Sequence, residues 1–313
     1  MKGLSLFAGV GLFDRAFENV GLNITNAIEI NDKAVLSYNK NNKLQITAKD
    51  IKHFIPEEHY DFIIAGFPCP SFSKANPNAK GLEDQRGQLF FELVRVIRQV
   101  KPAFFCLENV DNLLTIDNGK TFAVIAQELE SSGYFIKTKV LSPHTHGNIP
   151  ALRNRLFIVG FDNKEHYEAF DFPEQIDLTL SVFDLLDDKA EAKFYYVEGD
   201  KHYPTCSPAV KGRVYQLRRT YLRENKKALL PTITHTIGTG GNNNVPIIRD
   251  DYGVRKITPE ELFRFQGANN FIVPKANSTA YQQVGNAVCV SVVERIAKAI
   301  KQTIDKNNLS VER

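Results

Sequence analysis

Asp61-Phe62-Ile63-Ile64-Ala65-Gly66-Phe67-Pro68-Cys69-Pro70-Ser71-Phe72-Ser73 is the stretch on which the fold turns. Its first half is apolar without alternation, the mark of a strand covered on both faces, as in parallel sheets. Its second half sets a cysteine between two prolines, which fix φ and remove backbone donors. Cys69 is thus expected on a rigid, presented backbone just past the carboxyl end of a strand, where open α/β sheets place their chemistry. By itself this thiol is as well read as a small core residue, since free cysteine is often buried. The surrounding chain decides.

Outward from that stretch, strand-like and helix-like segments alternate. Leu4 to Phe7 reads as a strand and Leu12 to Val20 as a helix closed by Gly21. Asn26 to Glu29 is a short strand, and Asp32 is expected to cap the helix after it. Leu89, Phe90, Leu93, Val94, Ile97 and Val100 recur at helical spacing up to Pro102, and Ala103 to Leu107 is a second buried strand. A helix over Phe122–Leu129 and a strand over Leu156–Phe161 follow. The class is α/β, a doubly wound, mostly parallel, Rossmann-like sheet. After about Phe170 the alternation fades, and Ser207–Asp251 is rich in Arg, Lys, Thr, Gly and Asn, as in a loop-rich domain. A terminal helix over Val288–Ile300 is expected to dock on the first domain. The expected division is 1–170 with 277–313, and 171–276.

Composition narrows the class. The 313 residues are 43% hydrophobic and 24% charged, as in globular proteins, and the formal charge of +3 requires any basic patch to be local. The four cysteines (Cys69, Cys106, Cys206, Cys289) form no C-x-x-C pair, so neither a disulfide framework nor a zinc site is expected, and no metal. Asp14 and Arg15 interrupt the apolar start and no cleavage site follows, so no signal peptide is expected; no apolar run reaches membrane-spanning length. The expected compartment is the cytoplasm.

Phe7-Ala8-Gly9-Val10-Gly11 joins the first strand to the first helix, and its glycines let a ligand approach backbone closely. It is not a complete G-x-G-x-x-G. Glu29 is placed to accept from ribose hydroxyls and Asp50 from an adenine amino group, which together would describe a nucleoside cofactor without a required pyrophosphate; on these residues alone a tight turn with two solvated carboxylates is the stronger reading. Glu108-Asn109-Val110 ends a buried strand, where a carboxylate can have its proton affinity raised and act as a donor, or merely cap the strand. Arg153 and Arg155, at i and i+2 of an extended backbone, are expected to point the same way and grip an anion or carbonyl oxygen, or to form a solvated edge.

These motifs, in this order, resemble the cytosine-C5 DNA methyltransferases over nearly the whole chain. Phe7–Gly11 resembles that family's S-adenosyl-L-methionine loop, Glu29 with Ile30 and Asp50-Ile51 its ribose and adenine contacts, and Phe67-Pro68-Cys69 its nucleophile motif. Gly81-Leu82-Glu83-Asp84-Gln85-Arg86-Gly87, then Leu89-Phe90-Phe91, resembles the end of its mobile catalytic loop. Glu108-Asn109-Val110 and the Arg153/Arg155 pair match its carboxylate and arginine motifs. Arg255–Glu261, Arg264-Phe265-Gln266-Gly267 and Gln283-Val284-Gly285-Asn286-Ala287-Val288 match its closing segments. Three positions depart: Pro70 stands where glutamine is usual, Ala151 where glutamine often precedes the arginines, and Ile30 where some members carry tryptophan.

The resemblance implies the following roles. Cys69, Glu108, Arg153 and Arg155 would be catalytic; Phe7, Gly9, Val10, Gly11, Glu29, Ile30, Asp50, Ile51, Pro68, Leu89, Asn286 and Val288 would hold S-adenosyl-L-methionine, leaving S-adenosyl-L-homocysteine. The smaller domain would be a target-recognition domain for double-stranded DNA. Lys211, Arg213, Arg218, Arg219, Arg223, Lys226 and Lys227 stand there against the single acid Glu224. Ser71, Ser73, Arg86, Arg218, Arg219, Arg223, Gly240, Gly241 and Asn242 are the expected DNA contacts. A monomer is expected, paired in function but not physically with a restriction endonuclease, or acting alone. The tRNA-modifying branch of the family and a silent DNA-binding relative are the alternatives.

Overall fold

The computed structural model describes residues 1–68, 85–218, 220–234, 237 and 245–311, with side chains for all of these except 85, 86 and 307–311. The chain divides into two compact units, 1–141 with 154–174 and 293–313, and 142–153 with 175–292.

In the first unit, β1 (Lys2–Leu6), α1 (Leu12–Glu18), β2 (Asn23–Ile28), α2 (Asp32–Asn41), β3 (Phe62–Gly66), α3 (Gln85–Val100), β4 (Phe104–Val110), α4 (Lys120–Ser131) and β5 (Phe135–Leu141) follow in order. The short α5 (Pro143–His146) lies in the second unit, and the first resumes with β6 (Arg155–Phe161) and α6 (Lys164–Ala169). The sheet runs β2-β1-β3-β4-β6-β5. Strands β2, β1, β3 and β4 are mutually parallel, and β6 is antiparallel to both β4 and β5.

The unbroken apolar strands are covered on both faces. Phe62 and Phe104 stack at 5.1 Å across β3 and β4, continued by Phe17 of α1 at 5.7 Å and Phe161 of β6 at 6.3 Å. On the opposite side Ile63 and Phe105 share a core with Phe90, Leu93 and Ile97 of α3 and Ile125 of α4. Side chains alternate across a strand, so one apolar run feeds both layers. Gly160 makes room for this packing: a Cβ there would lie 2.2 Å from the Phe105 ring.

Two local expectations change. The α2 cap is Asn31, whose Oδ1 accepts from the N–H groups of Lys33 and Ala34, so Asp32 is the first helical residue. Strand β5 has a half-exposed pattern, which the apolar-run criterion passes over.

The second unit is more regular than a loop-rich domain. It contains β7 (Tyr195–Tyr196), α7 (Tyr203–Cys206), β8 (Tyr215–Leu217), β9 (Leu222–Glu224), β10 (Val245–Arg249), β11 (Val254–Lys256), α8 (Pro259–Arg264) and α9 (Asn277–Asn286). The strands form an antiparallel sheet, β7-β11-β10-β8-β9. Strands of two to five residues are too short for a periodicity to show in sequence. Phe263 of α8 stacks on Phe271 at 4.0 Å. Where the expected division places 277–292 with the first domain, these residues group with the second unit: Gln266 donates to the Val284 carbonyl, and Tyr281 donates to that of Ile257. The chain re-enters the first unit at Val293, within the terminal helix α10 (Val290–Val311).

Candidate active site and cofactor loop

Strand β1 leads to β2 on one side and β3 pairs on the other, so the sheet has its switch point at the carboxyl ends of β1 and β3. The loop leaving β1 is tightly wound: Phe7, Gly9 and Gly11 all have left-handed φ, at 55°, 58° and 83°. A Cβ on Gly9 would meet nothing within 4 Å, so its backbone faces open space. Gly11 is closed instead, because a Cβ there would lie 2.3 Å from Asn42 Nδ2. That amide donates to the Val10 carbonyl at 3.2 Å and to the Tyr38 carbonyl at 2.9 Å, bracing the loop from behind. Neither Asn42 nor its role is legible locally, because 32 residues separate it from Val10.

Glu29 stands just past β2. Its Oε2 accepts from the Gly9 N–H and its Oε1 from the Asn31 N–H, both at 2.8 Å, which fixes the carboxylate against the loop. Ile30 beside it is 62% exposed, an apolar surface next to a fixed acceptor. Asp50 caps the short turn Ile51–His53 by accepting from the Lys52 N–H, and Ile51 is buried. The Lys49 N–H donates to the Glu29 carbonyl at 2.8 Å and ties this corner to the first. Two placed carboxylates, an apolar ledge and an open glycine turn fit the hydroxyls, amine and face of a nucleoside such as S-adenosyl-L-methionine. Leu89 of α3 packs partly buried on the core that contains Phe67, whose successor is Pro68. Asn286 ends α9 and Val288 follows it in the second unit.

Below the loop, Asp14 in the first turn of α1 is 1% exposed. It accepts from Ser5 Oγ and Tyr38 Oη, each at 2.7 Å, without a cation. Burial pushes its carboxyl up to about 6 against an ordinary 3.8. Because the folded pKa exceeds the unfolded one, the folded state holds the proton more tightly, and the stability this brings is lost as pH rises through 6. At pH 8 the ionised carboxylate costs ~3 kcal/mol relative to its protonated form. Asp14→Asn retains an acceptor and a donor for the two hydroxyls without the charge. It should melt several degrees above the parent at pH 8, keep about half of that advantage at pH 5 and lose it below about pH 4. A gap in melting temperature independent of pH would contradict this account.

At the next strand end, Gly66 of β3 is in register with Glu108 of β4, and a Cβ on Gly66 would lie 3.5 Å from Glu108 Oε2. Glu108 is 8% exposed and its Oε1 receives Arg155 Nε at 2.8 Å. Asn109 Nδ2 donates to the Phe67 carbonyl at 3.0 Å, which anchors the backbone leading to Cys69. Arg153 behaves differently from Arg155. It lies ahead of β6, is buried, and donates to the carbonyls of Ile233, Gly285 and Ala287 in the second unit. The expectation that the two guanidinium groups share one partner is corrected: Arg155 begins the strand and meets Glu108, whereas Arg153 lies ahead of it and is bonded to backbone carbonyls. The shared i, i+2 direction required both residues to be extended in one strand, and β6 begins at Arg155.

Cys69, Ser71, Ser73, Arg219, Gly240, Gly241 and Asn242 lie outside the described residues, as does the side chain of Arg86 at the start of α3. Arg218 and Arg223 lie on the β8–β9 hairpin of the second unit. Among the described residues no group of three His, Cys, Asp or Glu is placed to hold a metal, and no helix is long and apolar enough to cross a membrane.

A doubly wound, mostly parallel sheet with a glycine turn and a placed carboxylate at its switch point defines the Rossmann-like methyltransferase class. The solved structures most similar in shape include a putative DNA modification methyltransferase from an E. coli prophage (TM-score 0.75, 18% identity, covering 97% of this chain and 99% of that one). Another is the S. pombe Dnmt2 methyltransferase (TM-score 0.74, 19% identity, covering 96% and 99%). The model of the family described as C-5 cytosine-specific DNA methylase matches residues 1–302. The Type II methyltransferase M.Bsp6I of Bacillus sp. is 45% identical over 96% of this chain and 98% of its own length. M.HpaII of Haemophilus parainfluenzae is 31% identical over 96% and 89%. The chain belongs to the C-5 cytosine-specific DNA methylase family and is a DNA (cytosine-5-)-methyltransferase.

Proposed function

We propose that the enzyme methylates cytosine C5 in a short sequence of duplex DNA through a covalent adduct to Cys69, as the modification partner of a restriction enzyme or alone. One observation supports this most: the Glu108–Arg155 pair stands at the strand end beside the anchored Gly66-Phe67 backbone. Cys69 is three residues beyond Gly66, within ~10 Å of chain. The described cysteines are poor competitors. Cys106, Cys206 and Cys289 are buried, and burial raises all three thiols, that of Cys206 to about 11.

The target atom lies inside the base stack, so the cytosine is flipped out, at a cost of ~3 kcal/mol. The Cys69 thiolate adds to C6 and the ring becomes an enamine with a nucleophilic C5. Glu108, carrying a proton, donates to N3 and accepts from the exocyclic amine, neutralising the charge that develops as sulfur adds, and takes the proton back when the thiolate leaves. Arg155 orients Glu108 and reaches the O2 side. S-adenosyl-L-methionine, held by the Phe7–Gly11 loop, Glu29 and Asp50, supplies an electrophilic methyl group. Loss of the C5 proton to a base and expulsion of the thiolate restore aromaticity. Arg153, committed to three carbonyls, serves as a structural tie of the second unit rather than a base contact. The relatives named Type II methyltransferases support the modification role.

The test is transfer of labelled methyl from S-adenosyl-L-methionine to unmethylated genomic duplex, followed by bisulfite sequencing. Methylcytosine in one short context is expected. Transfer to tRNA instead of duplex would move the substrate to RNA, and no transfer to either would leave a silent binding protein.

A further inference from the structure

Hairpin β8–β9 carries a side-chain arrangement that the reaction does not need. Gln216 is 4% exposed and stands in register with Arg223. Its Oε1 accepts from Arg223 Nη2 at 2.6 Å and from Arg218 Nη1 at 3.3 Å. The two arginines, with Lys226, Lys227 and Thr232, line a cleft of about 590 Å³. Two guanidinium groups share one amide oxygen, and their remaining donors suit an acceptor-rich partner. Arg213 lies outside this arrangement, paired at 2.9 Å with Glu224.

We propose that Gln216 positions Arg223 and Arg218 to read the major-groove edge of a guanine, while Lys226 and Lys227 hold backbone phosphate. This rests on the reading of the protein as a duplex-modifying enzyme. A phosphate offers acceptor oxygens in several directions and is held by lysine or by arginine, whereas the edge of a guanine is met only by a guanidinium plane at a set angle. Holding the arginines beforehand lowers the entropy lost on binding. Guanine alone offers two adjacent acceptors, O6 and N7; adenine pairs N7 with a donor, thymine offers one acceptor beside a methyl, and cytosine a donor. Gln216 acts through the arginines and is a positioning residue.

The experiment uses the full chain and duplexes carrying its bisulfite-defined context, with each guanine in turn replaced by 7-deazaguanine, which lacks the N7 acceptor but pairs normally. For the parent, one position should lower kcat/KM by roughly 10- to 100-fold. Arg223→Ala should lower activity on the natural duplex and abolish that position's discrimination. Arg223→Lys should fail in the same way while keeping the parent's salt dependence. Gln216→Leu should lower the discrimination ratio with unchanged salt slope and melting temperature. If Arg223→Lys restores full activity and Arg223→Ala weakens all duplexes equally with a shallower salt slope, Arg223 is a phosphate contact and the proposal fails. Indifference of the parent to every 7-deazaguanine also overturns it, with the methylation activity intact. Absence of any duplex methylation by the parent would instead overturn the functional reading beneath it.

Discussion

Cys69→Ala is expected to lower kcat for methyl transfer by about 10⁴-fold or more, while affinity for its duplex stays within a few-fold of the parent. The reaction has no low-barrier route around the nucleophile, because C5 of an aromatic cytosine is a weak nucleophile until C6 carries the sulfur. No described cysteine can substitute, since Cys106, Cys206 and Cys289 are buried. Single-turnover methylation and a binding titration on the same duplex separate chemistry from recognition. A duplex carrying 5-fluorocytosine adds a direct readout, because fluorine at C5 leaves no proton to remove and the adduct persists. The parent should form a denaturation-resistant adduct and the variant none. Undiminished turnover by the variant would end the covalent mechanism.

Glu261→Ala is expected to be the most damaging single change to the second unit. Arg255 is 0% exposed, and Glu261 receives both Nη1 and Nη2 at 2.8 Å while Asp250 receives Nε at 2.7 Å. Burial opposes the charge on Arg255, but the two carboxylates more than offset it and hold the guanidinium above its ordinary range. Glu261 also closes the capping box of α8, accepting from the Thr258 N–H at 2.7 Å. Its removal leaves a buried cation half-paired and the Thr258 N–H without its acceptor, at a cost of ~3–5 kcal/mol. A calorimetric transition lowered by about 10 °C or more is the expected result. A coupled Arg255→Met, Glu261→Leu variant should recover part of the loss, since two apolar groups leave no uncompensated charge. A melting temperature within 2 °C of the parent for Glu261→Ala would show that water or Asp250 carries the charge, contrary to the complete burial.

The expected site in the first unit matches chain features that are local. Gly9 and Gly11 announce a turn, Glu29 ends the next strand, and Glu108 ends a strand too apolar to be anything but buried; each assignment needs only its neighbours. The arginine pair shows the limit. Identical residues two apart in sequence were expected to act together, yet Arg153 is enclosed by carbonyls from residues 80 to 134 positions away while Arg155 meets Glu108. Asp14 reads as an interruption in an apolar start, and its role depends on Tyr38 arriving from α2.

By itself, then, the chain determined the buried strands, the helices between them and the order of the chemical groups, because burial and turn chemistry are written within a few residues. Tertiary structure alone decided the strand order β2-β1-β3-β4-β6-β5, the reversal of β6, the very short strands of the second sheet and the partners of each buried charge. A side chain's residue type is local, but the hydrogen-bond partner that satisfies it in a low-dielectric interior comes from wherever the fold brings the chain back.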